Sequence, residues 1–349
     1  MTTNSWVVKQ PSSILATHVK PSCDFELDYA EFLDDALVEA WELQTSFRKN
    51  EEKEPADREW WILKPGMSDR GQGIRLFSTE AELQSIFEQW EAERPDSDGE
   101  EEEEGESNED ATATVTLGVH DQQSNNDYIM TSQLRHFVAQ PYIHPPLHLP
   151  SNPHKFHIRT YVVAIGSLKI YVYRPMLALF ASLPYSAPWE TSSPSSPSSL
   201  LAHLTNTCLQ DGTRDGAVQA FWSLPPLSLP AGTADWREHV FTQICDVTAE
   251  IFEAAARGQM VHFQTLPNAF EVFGVDFLVD AEGTAWLLEV NAFPDFKQTG
   301  EELKELIRGL WEGVVDLAVG PFFGVEGVGR EEGRGNGMVL VRELDLGRR

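Results

Sequence analysis

Two periods organise the hydrophobic positions of this chain, one near four residues and one of two. Residues 26–48 place Leu27, Phe32, Leu33, Leu37, Ala40 and Leu43 at helical spacing, which predicts one or two amphipathic helices. The run WWILK over 60–64 reads as a short apolar strand and PGMSDRGQG as a turn-rich loop. IRLF then reads as a second strand, followed by a helix with Ser78 or Thr79 at its N-cap. HFVAQPYI, ending at Ile143, predicts a buried strand entering a hinge, and KFHIRTYVVAIGSLKIYVY a hairpin turning at Gly166-Ser167. Residues 236–257 are helical in pattern. FEVFGVDFLVDAEGTAWLLEVNAFP gives two apolar strands joined at Asp280–Gly283, and 301–319 a last amphipathic helix.

Three stretches break the pattern. Between Glu91 and Asp110 stand 12 acids and one base, a run that cannot collapse and predicts a disordered insertion over 91–127. Residues 186–199 (SAPWETSSPSSPSS) form a Ser/Pro-rich loop, and the tail from 324, rich in Gly and charge, is expected to be mobile.

Composition narrows the classes. With 41% hydrophobic residues, 10 Trp and 19 Phe in 349 residues, there is material for a sizeable core. The formal net charge of −29 repels nucleic-acid phosphates, and no Lys/Arg-rich run offsets it, so direct nucleic-acid binding is not expected. Cys23, Cys208 and Cys245 show no metal or disulfide spacing and read as reduced core thiols. The first residues lack a signal-peptide core. The most apolar stretch, 161–181, is interrupted by Lys169, Arg174 and Pro175, so a soluble cytoplasmic protein with no membrane partner is expected.

Four constellations could carry chemistry. Lys64 with the glycines Gly71 and Gly73 could hold phosphate oxygens, although alone it also reads as a turn with a surface lysine. Asp276, Glu289 and Asn291 interrupt two apolar strands. Glu289 and Asn291, two apart, share a face, and pairing around the Asp280–Gly283 turn brings Asp276 level with them. Such oxygens suit Mg²⁺ shared with phosphates; a salt-bridged strand with one solvated face is the alternative. Lys155, His157 and Arg159 alternate along one strand face, as a cationic stripe toward an anionic substrate or as exposed edge charges. His203-Leu204-Thr205-Asn206 is a polar tetrapeptide that means little by itself.

In this order, WWILKPGMSDRGQGI, FVAQPYI, KFHIRTYVV, HLTNTCLQ and FGVDFLVDAEGTAWLLEVNAFP resemble the tubulin–tyrosine ligase family over about residues 60–296. The resemblance implies an α+β ATP-grasp fold, two lobes with mainly antiparallel sheets clamping ATP. With the patterns above, the chain is expected to divide into an N-terminal helical region over 1–58, a central lobe over 59–146, a second lobe over 147–323 and a flexible tail over 324–349. Carried over by position, Lys64, Lys155, Gly71 and Gly73 would serve the phosphates. Gln140, Tyr142 and Ile143 would form the adenine hinge, with Thr205 facing the nucleotide. Arg159 and Asn206 would act at the reacting group, and Asp276, Glu289 and Asn291 would bind Mg²⁺. The implied activity joins an amino acid to a protein acceptor through an acyl phosphate.

The sequence departs from the family pattern at Pro141, where a Lys is common, at His157, where an Asp is common, and at Leu179, where a second Arg is common. These departures lie on the substrate side. The stretch RPMLALFAS resembles the family's fungal members, some of them linked to cytoplasmic mRNA-processing bodies (P-bodies) and some fused to a phosphatase-like domain. Two readings follow: an active carboxylate–amine ligase, or an ATP/Mg-binding interaction module without turnover. The chain's net charge argues against an acidic tubulin tail as acceptor.

Overall fold

Two antiparallel sheets divide the chain between them. The computed structural model describes residues 2–66, 72–93, 135–205, 217–230, 232, 234–294, 296, 303–325 and 337–346. The acidic insertion therefore falls almost wholly outside the described residues, as do Gly71, Asn206 and Cys208.

The smaller sheet has strands β1 (Cys23–Glu26), β2 (Trp61–Pro65), β3 (Arg75–Phe77) and β4 (His136–Pro141) in the order β1-β4-β2-β3. Helix α5 (Glu80–Ala92) packs on it. Its start is fixed by a capping box: Thr79 Oγ1 accepts from Glu82 N at 3.2 Å, and Glu82 Oε2 accepts from Thr79 N at 3.2 Å. Its apolar face brings Phe87 to Phe137, with ring centroids 4.9 Å apart. The helices expected over 26–48 start later than the spacing suggests. Residues Cys23–Glu26 pair with β4, and a short turn of helix over Ala30–Phe32 leads into α3 (Leu33–Ala36) and α4 (Trp41–Asn50). Leu27, Leu33, Leu37, Ala40 and Leu43 are buried as the pattern requires, whereas Phe32 is 48% exposed beside Tyr29.

The larger sheet has seven strands. Five run in the order β10 (Ala285–Asn291), β9 (Phe270–Val279), β5 (Phe156–Ile165), β6 (Lys169–Tyr173) and β11 (Met338–Glu343). β7 (Leu177–Phe180) also pairs with β5, and β8 (Val218–Ala220) with β7. The tail expected to be mobile thus supplies β11, because the apolar run over 338–341 pairs with β6 and packs Val339 and Val341 against the core on one face of the sheet and Met338 on the other. Helix α7 (Trp236–Gly258) covers one face of this sheet, burying Ile158, Val162, Phe273, Val275 and Phe277. Period-two alternation sends His157, Arg159, Tyr161 and Val163 of β5, and Val272, Gly274 and Asp276 of β9, to the opposite face.

The first twenty residues belong to the larger sheet's side. Helices α1 (Thr2–Lys9) and α2 (Leu15–His18) rest on α7, where Glu250 accepts from Trp6 Nε1 at 2.8 Å and from Ile14 N at 3.2 Å. Helix α8 (Lys304–Val314) lies on the other face through Leu310 and Val314. No helix among the described residues is long and apolar enough to cross a membrane. Cys23 is buried and Cys245 half-buried. Both thiols are free, and burial pushes them up to about 11 and about 12.

The Ser/Pro loop also joins the two sheets. Residues 182–205 leave the large sheet after β7. They pack Trp189 against Trp60 and His144, and set Ser195 on the edge strand β3: its Oγ accepts from Leu76 N at 2.9 Å and donates to Leu76 O at 2.6 Å. The loop then returns through α6 (Pro197–Leu200), whose Leu200 packs with Trp60, Leu76 and Tyr142.

Candidate functional site

Three strands bring the charged groups of the site to one level. Arg159 of β5 stands opposite Asp276 of β9, and Asp276 opposite Glu289 of β10. The second pairing depends on a β-bulge. Leu287 pairs with Phe277 and Glu289 with Asp276, so Leu288 is the extra residue. In a regular strand Glu289 would share a face with Leu287, which packs toward α7. The bulge reverses that parity and brings Glu289 and Asn291 round to Asp276.

Asn291 Nδ2 lies 3.0 Å from Glu289 Oε1 and 3.5 Å from Asp276 Oδ2, so the three oxygen-bearing groups converge. Arg159 grips Asp276 with two parallel bonds, Nη2 donating to Oδ2 at 2.9 Å and Nε to Oδ1. Burial opposes the Arg159 charge, but the Asp276 carboxylate outweighs it and raises the guanidinium further. Gly274 makes the close approach possible, since a Cβ there would meet Pro294 Cβ at 3.0 Å and Arg159 Cδ at 3.3 Å.

The two lysines come from different sheets. Lys64, on β2, is lowered by burial, while Glu289 and Asp276 across the cleft act to restore its charge. Lys155 precedes β5; its Nζ donates to the Tyr142 hydroxyl at 3.1 Å and lies 4.3 Å from that ring's centroid. Burial, then the neighbouring Lys64, lowers Lys155 to about 7. The Tyr142 hydroxyl also hydrogen-bonds His203 Nδ1, 2.8 Å away. His203 Nε2 is buried without a partner among the described residues.

His157 differs from the cationic stripe expected of it. Its Nδ1 lies 2.5 Å from Thr205 Oγ1, and its Nε2 is 3.7 Å from Asp276 Oδ1, beyond hydrogen-bond range and without a hydrogen-bond partner among the described residues. Burial, then Arg159, hold it down to about 3, so the imidazole is neutral. Leu179 pairs with His157 and is buried among Tyr161, Leu177 and Leu310. An apolar side chain therefore fills the position where a guanidinium was the comparison.

Of the other expected residues, Gln140 pairs with Ile62 between β4 and β2, and Ile143 is buried just beyond. The Tyr142 amide donates to Trp60 O at 2.7 Å. Gly73 adopts φ +71°, in the left-handed region that favours glycine. Sequence reasoning did not assign His203, the Tyr142 hydroxyl or Gly274. The only signals for them were the polar tetrapeptide at 203–206 and a glycine inside an apolar strand.

Among the described residues no three of His, Cys, Asp and Glu gather to hold a metal by themselves. The donor set is two carboxylates completed by the Asn291 amide, whose oxygen a half-turn would present. These are hard oxygen donors in small number, which fits Mg²⁺ that takes its remaining ligands from phosphates and water.

The tubulin-tyrosine ligase family model matches residues 7–325. A probable tubulin–tyrosine ligase of Schizosaccharomyces pombe is 43% identical over 320 residues, covering 91% of this chain and 72% of its own length. The probable tubulin–tyrosine ligase PBY1 of Saccharomyces cerevisiae is 44% identical over 327 residues; the match covers 92% of this chain but 41% of that protein. Among solved structures, the C-terminal domain from K. lactis Pby1 is similar with a TM-score of 0.64 and 37% identity, covering 99% of this chain and 77% of that one. That domain is described as an ATP-grasp enzyme interacting with the mRNA decapping enzyme Dcp2. The two antiparallel sheets, the cleft between them and these matches establish that the chain belongs to the tubulin-tyrosine ligase family and has the ATP-grasp fold.

Proposed function

We propose that the chain is an ATP-dependent ligase that joins an amino acid to a protein acceptor. The observation that carries this reading is the convergence of Asp276, Glu289 and Asn291 across the cleft from Lys64. Lys64 and Lys155 would neutralise phosphate charge, and Gly71 and Gly73 would serve the same phosphates. Gln140, Tyr142 and Ile143 would line the adenine, and Thr205 would face the nucleotide. Asp276, Glu289 and Asn291 would hold Mg²⁺, which supplies charge neutralisation when bound. A substrate carboxylate takes the γ-phosphoryl group and releases ADP. An amine then displaces phosphate from the acyl phosphate, forming the C–N bond. Arg159, and with it Asn206, would steady the charge that develops on the transferred group. The protein contributes position and electrostatics and needs no covalent nucleophile.

The test is a thermal-shift measurement with ATP and Mg²⁺, followed by incubation with cell extract and labelled amino acids. Wild type should be stabilised, Glu289→Gln should lose that shift, and label should appear in protein. Absence of any shift in the wild type overturns nucleotide binding.

A second reading is favoured by the buried Leu179 and the neutral His157: a nucleotide-binding module that acts by holding a partner. The K. lactis relative's decapping-enzyme interaction supports a cytoplasmic protein partner of that kind. Partner capture unaffected by Glu289→Gln supports this reading, and incorporated label removes it.

A further inference from the structure

The loop over 182–205 does more than connect. It reaches the smaller sheet, grips Leu76 through Ser195, and returns carrying His203 and Thr205 to Tyr142 and His157. Both Ser-Pro dipeptides of the chain, Ser193-Pro194 and Ser196-Pro197, lie in this strap, one on each side of Ser195.

The two serines are not equivalent. Ser196 Oγ is already committed, capping α6 by accepting from Ser199 N at 3.3 Å. Ser193 is exposed, and its hydroxyl has no partner among the described residues. A residue before proline is held in extended backbone, the shape a kinase cleft accepts. We propose that Ser193 is a phosphorylation site for a proline-directed protein kinase, and that its phosphate loosens the strap from β3.

In the modifying step the kinase's own ATP gives its γ-phosphoryl group to Ser193 Oγ. An O–P ester forms, the bond to the β-phosphate breaks, and ADP and the hydroxyl proton leave. The sign of the effect follows from the surroundings. No Lys or Arg occurs anywhere in residues 182–205, while Glu190 stands three residues before Ser193. Arg75 of β3 is turned inward over Trp90, its Cζ 5.3 Å from that ring. The strap therefore meets the new dianion with a like charge and no cation of its own, the setting in which phosphorylation disrupts rather than orders. The grip nearest to it is the pair of bonds between Ser195 and Leu76.

The experiment treats the full chain with a proline-directed kinase and ATP, maps phosphate by mass spectrometry, and follows amide hydrogen exchange at Leu76. Neither readout depends on ligase turnover or on nucleotide binding by this chain. Phosphate at Ser193, with exchange at Leu76 faster by about tenfold or more, is the expected result. Ser195→Ala should give the same faster exchange without kinase, and Ser193→Ala should abolish the kinase effect. No phosphate at Ser193, or full phosphorylation with Leu76 exchange unchanged, overturns the proposal.

Discussion

Lys155 has a neutral phenol, not a carboxylate, as its hydrogen-bond partner: its Nζ donates to the Tyr142 hydroxyl at 3.1 Å. Burial and Lys64 hold this ammonium at about 7 against an ordinary value of 10.5. Phosphate binding requires the charged form, so nucleotide should bind with uptake of a proton. Affinity should fall as pH rises from 7 to 9, by up to about tenfold per unit. The same group makes the nucleotide-free fold more stable with rising pH between about 7 and 10.5, because the unfolded chain there binds more protons. Calorimetry in buffers of different ionisation enthalpy measures the uptake. Tyr142→Phe removes the acceptor and should move the midpoint to lower pH.

Gly274→Ala would set a methyl group 3.3 Å from Arg159 Cδ and 3.0 Å from Pro294 Cβ. We expect a loss of about 1–3 kcal/mol from crowding, read by denaturant titration. Arg159 would be pushed off Asp276, so nucleotide affinity should drop by more than the stability change alone implies.

The bulge makes an unusual deletion tolerable. Removing Leu288 lets Leu287 and Glu289 become consecutive while each keeps its partner, Phe277 and Asp276. The deletion variant should retain a Mg²⁺-dependent thermal shift with ATP. Loss of that shift in a folded deletion variant would show that Leu288 itself is required.

Glu250 ties the first helices to α7 with one carboxylate, through Trp6 Nε1 at 2.8 Å and Ile14 N at 3.2 Å. Glu250→Ala should cost about 1–3 kcal/mol and expose the segment before Cys23 to protease, with nucleotide affinity unchanged.

The elements with a clear period were legible from sequence: β2, the start of α5, the hairpin at Gly166, α7, and the acidic pair on β9 and β10. Local chemistry decides these. What escaped was decided at long range. The strand at Cys23–Glu26 exists because β4 offers it an edge, and its four residues carry no strong signal of their own. The face that Glu289 occupies turns on one unpaired residue that spacing cannot announce. His157 looked cationic beside Lys155 and Arg159, yet those same neighbours, with burial, remove its charge. His203 joined the site only because residues 182–205 fold back onto Tyr142.

The pairing of β11 with β6 has a practical consequence for anyone cutting this protein. The family match ends at residue 325, a natural place to truncate, but the closing strand lies beyond it at Met338–Glu343. A fragment ended there would leave the backbone of β6 unpaired along Lys169–Tyr173. It would invite chain-to-chain strand addition, so self-association of such a fragment would report a missing neighbour rather than a native oligomer.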